Sequence, residues 1–270
     1  ILAVIGALPF VLSREIPFFI DALFETVSGF TTTGATILGD VEALSHASML
    51  WRCLTHWVGG MGVLVFMLIV LALAGGQTIF LMRAESPGPS VSKMSPHMRD
   101  TATILYAIYF GLTVLQMILL LIGGMPLFDA ICVSLGTAGT GGFSVRNSGL
   151  ADYSAYLQAV TTVFMVLFGV NFSVYFFLLR RRFKLAWHNS EVRWYFIIIF
   201  GAIVLISANL LLTGGFFPTV FQTIHHVAFS VGSVITTTGF GTADFAKWPE
   251  FSKTVLLILM AIGACAGSTR

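Results

Sequence analysis

Thr31-Thr32-Thr33-Gly34-Ala35-Thr36 and Thr236-Thr237-Thr238-Gly239-Phe240-Gly241 decide how this 270-residue chain is built. Each closes a short apolar segment that begins just after a proline, Pro17 in the first case and Pro218 in the second. A looser version, Ala138-Gly139-Thr140-Gly141-Gly142-Phe143-Ser144, closes the segment opened by Pro126. One Thr/Gly loop reads as a tight turn between helices. Three of them, each led in by a proline and a short apolar stretch, read as an internal repeat. Matching the loops by their glycines places Gly34, Gly141 and Gly239 at equivalent positions.

Longer apolar runs flank each loop. Ile1–Leu12, Thr101–Ile122 and Val192–Leu212 come before; runs of about 49–74, 153–179 and 248–263 follow. With their flanks, such runs suit a hydrocarbon core of ~30 Å. The segments opened by the prolines are too short for that and suit re-entrant helices, with proline in the first turn, where its missing N–H costs nothing. Irregular Thr/Gly backbone at membrane depth is tolerated only inside protein or along a wet cavity, so three such loops imply a pore. The expected fold is an all-α polytopic membrane protein with repeated helix–re-entrant pore loop–helix units around a single pore, as in K⁺ channels. The units are expected over 1–76, 101–179 and 192–270, with linkers over 77–100 and 180–191. Both ends read as cut, since the chain opens within an apolar run and stops in a Gly/Ser-rich one.

Composition agrees with that solvent. Apolar residues make up 57% of the chain and charged residues 10%, against roughly a quarter charged in soluble domains. A net charge of +2, with no basic stretch interleaved with aromatics, argues against nucleic acid. Cys53, Cys132 and Cys265 are widely separated, show no metal-binding spacing, and read as small buried apolar residues.

A dehydrated monovalent cation needs several close oxygens and no tightly held anion. Backbone carbonyls and threonine hydroxyls meet that need, and glycine lets successive carbonyls turn to one side. A divalent ion would call for carboxylates, and the loops carry none. The candidate K⁺ filter is therefore Thr31, Thr32, Thr33 and Gly34, with Ala138, Gly139, Thr140 and Gly141, and Thr236, Thr237, Thr238 and Gly239. K⁺ at these residues is the ligand expected, with no covalently bound cofactor. No Ser/His/Asp arrangement or redox motif suggests an enzyme, and Gly59-Gly60-Met61-Gly62 lies inside an apolar run rather than after a strand, as packing and not a nucleotide loop.

Charge sets an orientation. Arg83, Lys93, Arg99, Arg180, Arg181, Arg182, Lys184 and Arg193 lie between units, and basic loops stay cytoplasmic. The loops therefore face outward, where Glu15, Asp40, Glu42, Asp152, Asp244 and Glu250, set against Arg14, Arg146, Lys247 and Lys253, would draw cations toward the mouth. Asp21, Glu25 and Asp129 are functional candidates as ionisable groups near the membrane, although Asp21 and Asp129 equally suit helix N-termini. His225 and His226 read as hydrogen-bonded structural histidines, and Asn171 and Asn209 as bridges between helices.

Trp51-Arg52, His56-Trp57-Val58-Gly59-Gly60-Met61-Gly62, Arg83-Ala84-Glu85-Ser86-Pro87-Gly88-Pro89, Gly124-Met125-Pro126-Leu127-Phe128-Asp129-Ala130 and the three loops together resemble the TrkH/KtrB family of bacterial K⁺ uptake proteins. The resemblance runs through essentially the whole chain. It implies four non-identical units around one pore in the bacterial inner membrane, each giving one filter glycine, so that these 270 residues alone are not expected to conduct. It also implies a gate under the filter in the second helix of the third unit, at Gly263, Ala264, Cys265, Ala266, Gly267, Ser268 and Thr269. Family members are homodimers on a cytosolic nucleotide-binding regulatory subunit of the TrkA or KtrA type, and the basic inter-unit loops could meet such a partner. Two other readings stay open on the residues themselves. One is an ion-coupled carrier, although carriers usually show inverted or paired halves rather than parallel repeats; the other is a non-transporting scaffold. A Na⁺/K⁺-permeable translocator would share the same filter.

Overall fold

The computed structural model describes residues 1–74, 98–179, 181, 189–265 and 267–269. Every regular element among them is helical. In the first unit, α1 (Leu2–Leu12) leads to the short α2 (Phe19–Phe30) and then to α3 (His46–Ala74). The second unit runs α4 (Met98–Ile122), α5 (Leu127–Ala138), α6 (Ala155–Phe168) and α7 (Phe172–Leu179). The third runs α8 (Ser190–Thr213), α9 (Val220–Ile235) and α10 (Glu250–Ile262), with a single 3₁₀ turn at Phe245–Lys247. This is an all-α polytopic membrane fold of helix–short helix–helix units. The linkers expected over 77–100 and 180–191 fall largely outside the described residues.

Within each unit the short helix packs between the two longer ones, and the same contact recurs from one unit to the next. The helix that follows the loop of one unit lies on the short helix of the unit after it: α3 on α5, and α6 on α9. Thr103–Ile122 and Ser190–Thr213 are long and apolar enough to cross a membrane. Their outward sides stay apolar, with Phe110, Ile118, Phe200 and Val204 exposed, as lipid contact requires. The short helices begin beside the prolines, but one step later than the sequence suggests. Pro126 is the N-cap of α5, whereas Pro17 and Pro218 each precede their caps, Phe18 and Thr219.

One helix differs from its sequence reading. The run 153–179 does not continue straight but breaks between α6 and α7 with a bend of 90°. Gly169, Val170 and Asn171 occupy the break, and Asn171 Oδ1 caps the new start by accepting from the Ser173 N–H at 2.9 Å. A second cap closes the start of α8, where Asn189 Oδ1 accepts from the Glu191 N–H at 3.0 Å. Asn189→Ala is expected to lower stability by about 1 kcal/mol, read as a small fall in Tm of the detergent-solubilised protein.

Candidate functional site

The short helices end alike. Thr31, Gly139 and Thr236 are their C-caps. The next residue, Thr32, Thr140 or Thr237, has positive φ of 54°, 49° and 57°. Its N–H reaches back to Gly29, Thr137 or Val234, and the following N–H reaches Ser28, Gly136 or Ser233. This pair of bonds is the Schellman closure, which ordinarily places glycine at the left-handed position. A β-branched threonine there costs about 1–3 kcal/mol, and the structure holds that strain three times at one place.

This register corrects the alignment of the second loop. Counting from the cap, the fourth residue is Gly34, Gly142 or Gly239, each with positive φ (76°, 76° and 84°). Gly142, not Gly141, is therefore the counterpart of Gly34 and Gly239. Ala138 is the last residue of α5 and corresponds to Phe30 and Ile235 at the ends of α2 and α9. The sequence mismatched because the second loop has two successive glycines and no Thr-Thr-Thr to count from.

The loops also touch one another in one sense, first to second and second to third. A Cβ added at Gly34 would fall on the carbonyl oxygen of Gly141, and one added at Gly142 on that of Thr238. These are the same step, from the glycine of one loop to the carbonyl before the glycine of the next. At Gly239 no described atom lies within 4 Å of an added Cβ. The middle loop is accordingly the most buried, while Thr31, Thr33 and Gly239 are exposed.

Threonine hydroxyls behave alike in the outer two loops. Thr31 Oγ1 donates to the Val27 carbonyl at 2.7 Å and pairs with Thr33 Oγ1 at 2.8 Å. Thr236 Oγ1 donates to Gly232 and pairs with Thr238 Oγ1, each at 2.7 Å. With the hydroxyl hydrogens spent locally, lone pairs are what these oxygens have left to offer a cation.

Behind the loops lies a charge pair whose role the sequence did not reveal. Glu25 on α2 and Arg52 on α3 are 1% and 2% exposed, with Arg52 Nε donating to Glu25 Oε1 at 2.5 Å. Glu25, a functional candidate from the sequence, is thus locked in an ion pair. Removing one partner of such a pair costs about 3–5 kcal/mol. Arg52 sits over the Phe143 ring, 3.5 Å from its centroid, and His56 stacks on the same ring at 3.8 Å. The Arg52 signal in the sequence was a single basic residue inside an apolar helix, which needs a partner.

The other polar candidates fall outside the loops. Asp21 sits in the first turn of α2. Asp129 accepts from the Tyr153 hydroxyl at 2.7 Å, with Arg146 at 3.7 Å. His225 bonds Gln158 at 2.7 Å and His226 bonds Thr242 at 3.1 Å, as structural histidines do. Asn209 bridges α8 to Ser252 on α10, and Asn171 bonds Glu191 at 3.1 Å. Cys53, Cys132 and Cys265 are buried and free. Outside the helices, Asn147 knits the first two connecting stretches by donating to Asp40 at 2.7 Å and accepting from the Val41 N–H at 2.9 Å. That amide bond holds the Asp40 carboxyl below its usual range.

Gly263, Ala264, Cys265, Gly267, Ser268 and Thr269 form the irregular stretch after α10, whereas Ala266 lies outside the described residues. The stretch docks on the break between α6 and α7. The Cys265 N–H donates to the Gly169 carbonyl at 3.1 Å, the Phe172 N–H to Gly267 at 3.0 Å, and Thr269 Oγ1 to Phe168 at 3.3 Å. The break between α6 and α7 and the irregular stretch after α10 thereby satisfy each other's backbone groups, which is how irregular backbone persists in a membrane protein. Among the described residues no group of three or more His, Cys, Asp or Glu could hold a metal ion.

The family model described as "TrkH: Cation transport protein" matches residues 1–270. The chain is 38% identical over its whole length to the Trk system potassium uptake protein TrkH of Salmonella typhimurium, covering 56% of that protein. It is 35% identical to the Trk system potassium uptake protein TrkG of Escherichia coli, over 99% of this chain and 56% of that protein. The chain thus spans about half the length of the curated relatives it matches. A crystal structure of the potassium transporter TrkH from Vibrio parahaemolyticus aligns with a TM-score of 0.84 at 31% identity, over 100% of this chain and 55% of that one.

Proposed function

The chain belongs to the TrkH family of cation transport proteins, and from that premise we propose that it supplies three of the filter loops of a K⁺ uptake pore. One observation carries the reading. Left-handed residues alternate along each loop, at 32 and 34, 140 and 142, and 237 and 239. In an extended strand successive carbonyls point to opposite sides, and alternating handedness turns them toward one side, as a carbonyl filter needs. The ligand oxygens are those of Thr31–Gly34, Gly139–Gly142 and Thr236–Gly239. The axial ends of α2, α5 and α9 add their negative dipoles near the ion.

The boundaries 1–76, 101–179 and 192–270 serve as pore units under this reading, and a further element of the same kind beside Gly239 closes the ring. The stretch 263–269 acts as the gate beneath the filter. The assembly is a homodimer in the inner membrane, filter outward, resting on a cytosolic nucleotide-binding regulatory subunit. The relatives named potassium uptake proteins and potassium transporter support the ion; the acidic residues Asp40 and Glu42 beside the loops support the outward mouth.

Gly239→Ser is expected to reduce the preference for K⁺ over Na⁺, since an L-residue at φ 84° shifts the carbonyls of its loop. Tracer Rb⁺ and Na⁺ uptake by the intact protein measures this. Unaltered uptake of both ions in serine variants of Gly34, Gly142 and Gly239 alike overturns the filter reading.

A further inference from the structure

We infer that the buried Glu25–Arg52 ion pair is a positioning strut that fixes the first two loops against each other and so contributes to the choice among monovalent cations. The inference rests on the filter reading above. Neither residue belongs to a loop, yet the pair touches both loops within three residues past their glycines. Glu25 accepts from the Thr36 hydroxyl at 2.8 and 3.0 Å and from the Ile37 N–H at 3.2 Å, two and three residues beyond Gly34. Arg52 Nη1 donates to the Ser144 carbonyl at 3.4 Å, two residues beyond Gly142, while its guanidinium covers Phe143, one residue beyond.

The pair is not a feature repeated in every unit. Counting back from the caps, the positions matching Glu25 are Val133 and Ser230. The third loop is held by neutral bonds instead: Ser233 Oγ donates to the Phe240 carbonyl at 2.7 Å, and the Leu150 N–H donates to Gly241 at 2.9 Å. Packing alone does not call for charge here, because well-packed apolar residues usually match or exceed a buried ion pair in stability. What an arginine supplies is direction. Its planar fork reaches a carboxylate, a carbonyl and an aromatic face at once. Carbonyl number and field strength depend on where the loops sit, so slack in this strut reaches the ion.

Two substitutions test it in the intact protein. Arg52→Lys keeps the charge but loses the fork. Thr36→Val, at an exposed position, removes the hydroxyl that ties Glu25 to the first loop and leaves the ion pair in place. Uptake of tracer Rb⁺ and tracer Na⁺ into proteoliposomes is measured per amount of protein eluting at the native position in size exclusion. The expected result is a fall of about tenfold in the Rb⁺/Na⁺ ratio for Arg52→Lys, equal to about 1.4 kcal/mol, and a smaller fall for Thr36→Val. A purely structural pair would lower the yield and leave the ratio alone. A native ratio in both variants overturns the strut, and if Arg52→Lys does not accumulate, a native ratio in Thr36→Val does so alone. Gly239→Ser in the same assay separates the two ideas. If it shifts the ratio and the strut variants do not, only the strut fails; if the serine variants of Gly34, Gly142 and Gly239 all leave the ratio native too, the filter reading fails and the strut with it.

Discussion

Gly142→Ala is expected to cut Rb⁺ uptake by the intact protein about a hundredfold, with the protein still present in the membrane. Two costs add. Its φ of 76° lies in the left-handed region, where an L-residue costs about 1–2 kcal/mol. The new methyl would also fall on the Thr238 carbonyl oxygen of the next loop, and overpacking of that kind costs about 1–3 kcal/mol. The obstacle is backbone, so no rotamer change relieves it, and the carbonyl displaced is one of the proposed ligands. About 3 kcal/mol taken from the conducting arrangement corresponds to roughly a hundredfold. Gly34→Ala meets the equivalent oxygen, of Gly141, and is expected to behave the same way. Gly141→Ala differs in kind, because its methyl would meet the His56 ring, a side chain. Native uptake by Gly142→Ala would remove the register on which the loop assignment stands.

Gly59→Val should carry the largest stability cost. Gly59 lies on α3 where the helix crosses the end of α2, and an added Cβ would land on the Phe30 carbonyl. Gly60 beside it faces the Gly139 backbone, with an added Cβ 2.6 Å from Gly139 Cα. Valine has two γ-carbons and one strongly preferred χ1 in a helix, so α3 must move away from the bases of two loops. A loss of about 3 kcal/mol is expected, seen as a marked fall in Tm by size-exclusion melting of the solubilised protein. Gly111→Ala is the control: it lies in α4 with no described atom within 4 Å of an added Cβ, and better helix propensity should hold or raise Tm slightly. A Gly59→Val protein as stable as this control would refute the close approach of α3.

The glycine patch 59–62 shows how far residue types could be read. Small residues inside an apolar run announced close packing, and Gly59 and Gly60 do lie against backbone. Which backbone they lie against was not legible, because that depends on α3 passing over loop bases from two units. Arg52 entered the sequence reading only as part of the motif Trp51-Arg52; its partner lies 27 residues away and no spacing rule points to Glu25. The break at Gly169–Asn171 was similarly hidden. A glycine and an asparagine within an apolar run are compatible with a straight helix, and the bend becomes stable when the stretch after α10 supplies the missing bonds.

The sequence by itself determined the solvent, the repeat and the Thr/Gly make-up of the loops. Those follow from local rules: apolar run length against bilayer thickness, prolines at helix starts, and Thr/Gly backbone that lipid cannot accommodate. Tertiary structure alone decided the register of the second loop, the order in which the loops touch, and the pairing of Glu25 with Arg52. Each depends on positions distant in sequence meeting across helices. Gly141 and Gly142 are chemically identical neighbours, and only the handedness imposed by the end of α5 and the carbonyl waiting at Thr238 distinguish one from the other.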